Sequence, residues 1–257
     1  MPVAVLTGFA APLKTENMHH TLKVIQAAGF PLNAQSRIVD LGCGAGRFIK
    51  TMRAAGFDAQ GCDIYEAAND DAAALRAQGL IKSITFEPYR LPYDDASVDY
   101  IVSETVLEHV MNPEEVALEM ARVLKPGGAA FHFFPARYAP IESHIFVPFA
   151  SFIQHPLYLK FWALLGLRNG YQKGMNAEEV TANNAAFLKN NTNYLTDAQM
   201  RAVYGPHFAR VDFIEDTYLG LSESPKARAL ARLNKYVPFA GWAYRKFWAV
   251  PLLLVKA

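Results

Sequence analysis

Hydrophobic residues along the chain fall into short runs closed by a glycine, a proline or an acid, with helix-spaced stretches between them. Ile38 and Val39 form one such run, ending in Asp40, and Phe48, Ile49 and Met52 then recur at helical spacing until Gly56. Asp58 to Asp63 predicts a second strand ending in a second acid, and Ala67 to Gln78 a second helix closed by Gly79. Ser83 to Phe86 reads as a third strand and Val98 to Ser103 as a fourth. Asn112-Pro113-Glu114-Glu115 is a helix start, with Asn at the N-cap, Pro at the first helical position and Glu at the third. Val116, Met120, Val123 and Leu124 carry that helix to Pro126-Gly127-Gly128, and Ala129 to Phe134 is a fifth strand. Residues 1 to 35 are a lead-in with a loose apolar start and a helix over Met18 to Ala28.

Alternation of this kind predicts a doubly wound α/β domain on a mostly parallel sheet. It then breaks. The next helix start is the capping box Thr196-Asp197-Ala198-Gln199, followed by a sixth strand over Phe208 to Ile214. Some sixty residues, 135 to 195, therefore separate two strands, far more than an ordinary connection, and are expected to be a helical, substrate-binding insertion or lid. The apolar stretch Ala249 to Lys256, interrupted by Pro251, is expected to close the sheet as an edge strand.

Chemistry gathers where the first strand meets its helix. Asp40 is followed by Gly42, Gly44 and Gly46, a turn almost without side chains in front of a helix N-terminus, with Cys43 inside it. Such a turn lets a nucleotide-like ligand lie against the backbone. A dinucleotide site wants Gly-x-Gly-x-x-Gly/Ala, but the last position is Arg47 counted from Gly42 and Ile49 counted from Gly44. An acid at the strand tip also suits a ligand that brings positive charge, as the ammonium and sulfonium of S-adenosylmethionine do.

The string Asp-x-Gly-x-Gly-x-Gly resembles the first motif of class I S-adenosylmethionine-dependent methyltransferases, and the likeness extends over about Ser36 to Phe134. Asp63, at the second strand's end, is placed to accept hydrogen bonds from ribose hydroxyls, with Ile64 next to it on the cofactor. The stretch Phe86 to Tyr93 resembles the family's adenine-side loop, Glu87 standing where members carry an Asp. Pro88 departs from the pattern, since it has no N–H for the ring. Val98 to Ser103, Val106-Leu107-Glu108-His109-Val110 and Arg122 to Gly128 resemble the segment from fourth strand to fifth, which puts Ser103 beside the methionine part of the cofactor. The resemblance implies a Rossmann-like seven-stranded sheet with its last strand antiparallel, methyl transfer as the activity and S-adenosylmethionine as the cofactor.

His109 is a candidate base facing the acceptor, or a structural or substrate contact. Glu142 and His144, just past the fifth strand, form a pair able to deprotonate a hydroxyl acceptor, or one that fixes its own loop. Asn183, Asn184, Asn190, Asn191 and Asn193 suit a hydroxyl-rich ligand and equally suit turns. The expected acceptor is a small molecule, with a sugar or lipid-linked metabolite as the specific guess.

Composition sharpens this only in places. The 257 residues are 52 % apolar and 19 % charged, with net charge +1, an ordinary soluble make-up for one domain spanning 1–257. From Ser222 to Ala257 seven Lys/Arg face one Glu, so this tail carries +6 and the remainder −5. Lys226, Arg228, Arg232 and Lys235, followed by Tyr236, Phe239, Trp242 and Trp248, could lie on anionic lipid as a peripheral contact or simply form a solvated face. No nucleic-acid-binding motif accompanies them, so no nucleic-acid partner is expected. Two cysteines and no signal-peptide layout fit a cytoplasmic setting. No metal site is expected, because neither Cys43 nor Cys62 has a partner at zinc spacing and the adjacent His19 and His20 point apart on a helix. Rival readings are an aminopropyl transferase on the same sheet, a nicotinamide oxidoreductase and a non-catalytic S-adenosylmethionine-binding protein.

Overall fold

The computed structural model describes residues 15–64, 69–237 and 239–257. The apolar start of the lead-in, and Ala67 and Ala68 at the start of the expected second helix, lie outside the described residues.

Strand β1 (Arg37–Leu41) follows from its pattern: four of its five residues are buried, with Ile38 and Val39 pointing to opposite faces. It is flanked by α1 (Thr15–Ala27) and α2 (Arg47–Ala54), and then come β2 (Asp58–Asp63), α3 (Asp70–Ala77) and β3 (Ile81–Ser83). The expected third strand thus divides: β3 ends at Ser83, and β4 (Thr85–Phe86) folds back on β5 (Tyr89–Arg90) as a separate hairpin turning at Glu87 and Pro88. Next are β6 (Val98–Glu104), α4 (Pro113–Val123) and β7 (Leu124–Pro135). Asn112 does occupy the N-cap of α4, but its amide donates to Glu115 Oε2 (2.6 Å) rather than its side chain accepting from the helix.

Between β7 and the sixth helix-and-strand pair lie α5 (Pro156–Leu164), a 3₁₀ turn over Gly170–Gln172 and α6 (Ala177–Asn191). They close a small core of their own, formed by Ile145, Val147, Ala150, Leu159 and Leu188. The chain continues through α7 (Asp197–Tyr204), opened by the expected Thr196/Gln199 capping box, to β8 (Arg210–Phe213). Helices α8 (Glu215–Gly220), α9 (Pro225–Asn234) and α10 (Phe239–Phe247) precede β9 (Ala249–Val255). No helix among the described residues is long and apolar enough to cross a membrane.

Seven strands form one sheet in the order β3-β2-β1-β6-β7-β9-β8, parallel through β7, with β9 antiparallel to both its neighbours. The expectation of β9 as an edge strand is therefore corrected: β9 is interior and β8 is the edge. All seven β9 residues are buried, and a continuous apolar run of that kind belongs to a strand covered on both faces. Pro251 is tolerated because its carbonyl faces the β8 side and accepts from Ile214 N–H (3.0 Å), just past the last β8 pair. Its missing N–H falls where that neighbour has run out. Helices α4 and α7 cover one face of the sheet, and α1, α2 and α8 the other.

Candidate functional site

The strand order reverses between β1 and β6, the place where sheets of this kind receive a ligand beyond the carboxyl ends of their strands. The turn from β1 to α2 forms one wall. Gly42, Gly44 and Gly46 all have φ between +49° and +75°, where side chains are strained. Two of the three are also sterically required: a Cβ on Gly42 would lie 2.5 Å from Val106 Cγ2, and one on Gly46 2.3 Å from Leu75 Cδ1. Gly44 differs, because a Cβ there would meet nothing within 4 Å, so its bare backbone faces open space. Cys43 is a buried free thiol packed on Gly61 of β2, and serves the turn by its main chain, with Gly46 N–H donating to its carbonyl (2.8 Å).

Acids surround this turn. Asp63, at the tip of β2, accepts from Gly44 N–H at 2.7 Å, and Ile64 beside it is exposed on the lip. Asp40 is only 9 % exposed. Burial first, then the nearby carboxylates of Glu104 and Asp63, hold its carboxyl well above the ordinary range. Glu104 ends β6, receives the Thr21 hydroxyl (3.1 Å) and is itself raised by burial. Three acids on the ends of three adjacent strands thus share one crevice, and a cationic ligand would relieve their repulsion. Asp40 and Asp63 were legible as strand-ending acids. Glu104 was missed although the same signal marks it, an acid closing an apolar run.

Two other expected positions sit differently. Ser103 is buried within the sheet, its hydroxyl 2.7 Å from His132 Nδ1 on β7, so the residue at the tip of β6 is Glu104. Glu87 and Pro88 are exposed at the tip of the β4–β5 hairpin.

The second group of site residues meets at the far side of β6. The chain leaves that strand through Val106, which packs on Gly42, and enters a 3₁₀ turn carrying Glu108 and His109. His109 and His144 meet edge to face with ring centroids 4.6 Å apart. His144 Nδ1 is 2.7 Å from Glu142 Oε1, and Glu142 is buried and also accepts from the His144 and Ile145 N–H groups and the Tyr194 hydroxyl. Burial pushes against its charge, yet these donors, His144 foremost, keep the Glu142 carboxyl below its usual range. Its charged form can only accept, so His144 Nδ1 carries the proton and Nε2 the lone pair. His109 Nδ1 lies 2.6 Å from the Asn191 carbonyl, which fixes the same tautomer, and burial lowers its pKa. The sequence brought Glu142 and His144 together; their meeting with His109 across 35 positions, and with the unremarked Glu108 and Tyr194, is a product of the fold.

Next to this group, a cleft of about 250 Å³ is lined by Arg137, Ser151, Gln154, Thr192, Asn193 and Tyr194 among others. Of the amides named above, Asn183 and Asn184 brace the insertion, and Asn193 both lines the cleft and ties it to the turn after β6. Gln172 bonds both Asn183 and Asn184, and Asn193 Nδ2 donates to the Val110 carbonyl.

Comparisons with known proteins bear on the family and the fold. The family profile described as "Methyltransferase domain" matches residues 39–132, from β1 into β7. An uncharacterized methyltransferase of Mycolicibacterium vanbaalenii is 33 % identical over 107 residues, 42 % of each chain. A ubiquinone biosynthesis O-methyltransferase of Maricaulis maris is 33 % identical over 96 residues, 36 % of this chain and 37 % of that one. Over residues 39–132 the chain is thus similar to methyltransferase domains. Both matches span about two-fifths of the relative's length. In fold the chain is similar to phosphoethanolamine N-methyltransferase 2 of Haemonchus contortus, solved with S-adenosylmethionine, at TM-score 0.51 and 11 % identity over 93 % of this chain and 52 % of that one.

Proposed function

We propose that this chain transfers the methyl group of S-adenosylmethionine to an oxygen of a small acceptor. The observation that carries the reading is the crevice itself, where Asp40, Asp63 and Glu104 surround a bare glycine turn. Asp63 would hold the ribose hydroxyls and Asp40 and Glu104 the cationic end of the donor, with Gly44 against the nucleoside. The sulfonium is already a good leaving group, so the protein's task is in-line approach, exclusion of water and removal of the acceptor's proton. His144, oriented by ionised Glu142 as an imidazole with a free Nε2, is the proton acceptor. The methyl carbon bonds to the acceptor oxygen, the carbon–sulfur electron pair returns to sulfur, and the proton ends on His144.

A sugar or lipid-linked acceptor fits the cleft beside Tyr194, whose lining is hydroxyl, amide and guanidinium groups. Turnover of labelled cofactor against a panel of hydroxylated acceptors tests the reading. Methylation of a hydroxyl compound, lost in His144→Ala while cofactor binding persists, is the expected result. Binding without turnover of any acceptor would favour a non-catalytic cofactor-binding protein.

The acceptor's source also bears on the surface. Phe149, Phe152, Tyr138, Phe247, Trp242 and Phe239 form a continuous path of ring contacts, 4.7–6.4 Å between centroids, linking the insertion to the tail. Beside it α9 buries no side chain and carries Lys226, Arg228 and Arg232, while Trp248 is 67 % and Leu157 71 % exposed. An apolar aromatic surface next to a basic helix suits the interface of an anionic bilayer. Co-sedimentation with vesicles containing anionic lipid is expected, and Phe239→Ser with Trp248→Ser should abolish it. Equal recovery of both proteins in the supernatant would refute the contact.

A further inference from the structure

Glu108 is 1 % exposed, and neither of its carboxylate oxygens has a hydrogen-bond donor. Proton transfer at His144 gives this side chain no task, and a buried carboxylate left unpaired is costly. Its surroundings supply what a cation would need. One oxygen of Glu108 and one nitrogen from each of His109 and His144 lie within 4.8 Å of one another, with His109 Nε2 3.9 Å from Glu108 Oε1. Both imidazoles already have Nδ1 occupied, His109 by the Asn191 carbonyl and His144 by Glu142, which leaves Nε2 of each for a metal. Outer partners of that type, a backbone carbonyl and a carboxylate, are what hold metal-binding histidines in one tautomer and orientation. Glu142 is in turn fixed by the Tyr194 hydroxyl and two backbone N–H groups, so the outer shell is itself braced.

We propose that Glu108, His109 and His144 bind one divalent transition-metal cation through a Glu108 oxygen and the two Nε2 atoms, leaving a position open for an acceptor oxygen. Two imidazoles and one carboxylate suit Zn²⁺, Co²⁺ or Fe²⁺ and match Mg²⁺ poorly, since Mg²⁺ prefers oxygen throughout. Donors about 2.0–2.2 Å from Zn²⁺ in a tetrahedron stand a little over 3 Å apart, so the ligands close inward on binding by about 1 Å. The His109 side chain is about one-third exposed, which leaves the ion a way in and the acceptor a way to reach it. The cation also balances Glu108 and Glu142. Its role in catalysis rests on the methyl-transfer reading above and replaces that of His144 as the base, since His144 Nε2 is then a ligand. A hydroxyl held by the ion would ionise at lower pH, releasing its proton to water, and its oxygen would take the donor methyl while the carbon–sulfur electron pair leaves with sulfur. Binding of the ion does not depend on that reading.

The test uses the full chain stripped with a chelator, dialysed, and titrated with Co²⁺ and then Zn²⁺. One equivalent of Co²⁺ with visible absorption bands, displaced by Zn²⁺, is expected. Glu108→Gln and His144→Ala should each weaken Zn²⁺ binding by about tenfold or more, while the circular dichroism spectrum and S-adenosylmethionine binding remain. Should His144→Ala fail to fold, the nearly isosteric Glu108→Gln decides alone. Metal-free protein that takes up no stoichiometric Co²⁺, or a Glu108→Gln variant that binds Zn²⁺ like the wild type, overturns the proposal. Cofactor binding without metal binding sinks the cation and spares the methyl-donor reading; metal binding without cofactor binding does the reverse.

Discussion

Asp40 and Gly46 show how much of the site depends on single residues. The folded, cofactor-free protein favours a protonated Asp40, because burial and then Glu104 and Asp63 raise its pKa. A carboxyl raised on folding binds its proton more tightly in the native state, so stability falls as pH climbs from the ordinary carboxylate value towards the raised one. The slope of that fall is at most about 1.4 kcal/mol per pH unit for one proton. Denaturant unfolding of the cofactor-free protein between pH 4 and pH 8 should show this decline, and Asp40→Asn should flatten it; parallel curves would mean the acid is not strained. A cationic donor beside Asp40 would oppose that rise, so affinity for S-adenosylmethionine should tighten with rising pH. The glycines separate packing from ligand contact. Gly46→Ala drives a methyl into Leu75 and Ile81 at φ +73° and should cost about 2–4 kcal/mol of stability. Gly44→Ala meets only open space, so it should cost about 1 kcal/mol or less beyond its backbone strain while weakening cofactor binding by an order of magnitude or more. Chemical denaturation beside calorimetry reads both, and equal losses of stability would contradict the division.

Among the elements, the strands of the large sheet and the helices α2, α4 and α7 announced themselves, and the β4–β5 hairpin, α8, α10 and the separate helices of the insertion did not. An acid marks the carboxyl-terminal end of β1, β2 and β6, as Asp40, Asp63 and Glu104, and α7 begins at the capping box its sequence spells, while α4 begins at Asn112 without the side-chain cap. The β4–β5 hairpin was hidden because Thr85 to Arg90 has neither the length nor the alternation of a sheet strand. β9 was placed at an edge on the strength of Pro251, when seven consecutive buried residues spoke for the interior. Helices α8 and α10 had only weak patterns, α10 burying only Ala240 and Gly241, whereas α9 showed itself as a basic amphipathic stretch. The insertion behaves as a separate packing unit. Leu159→Ala empties the centre of its small core and should cost about 2–5 kcal/mol there. Hydrogen exchange should accelerate in α5 and α6 and leave β1 and β6 protected; acceleration spread evenly over the sheet would argue that the insertion has no core of its own.

At the scale of the molecule, the sheet order puts every functional group at one edge of the parallel strands. The acids of β2, β1 and β6 converge because those strands are neighbours, and Glu108 and His109 stand beside them because the chain leaves β6 at the same end. The gathering of Asp40, the glycines and Asp63 was readable in the sequence, because it depends on local strand–turn–helix geometry. The acceptor half was not, because Glu108, His109, Glu142, His144 and Tyr194 come from three separate segments whose meeting no spacing rule encodes. Calorimetric titration of the full chain with S-adenosylmethionine and, separately, with a nicotinamide dinucleotide tests the central claim, that this acidic crevice is built for a cationic, ribose-bearing methyl donor. One equivalent of S-adenosylmethionine should bind, Asp63→Ala should weaken it by about tenfold or more without unfolding the protein, and the dinucleotide should give no heat. Tight binding of the dinucleotide, or an affinity for S-adenosylmethionine indifferent to Asp63, would contradict it.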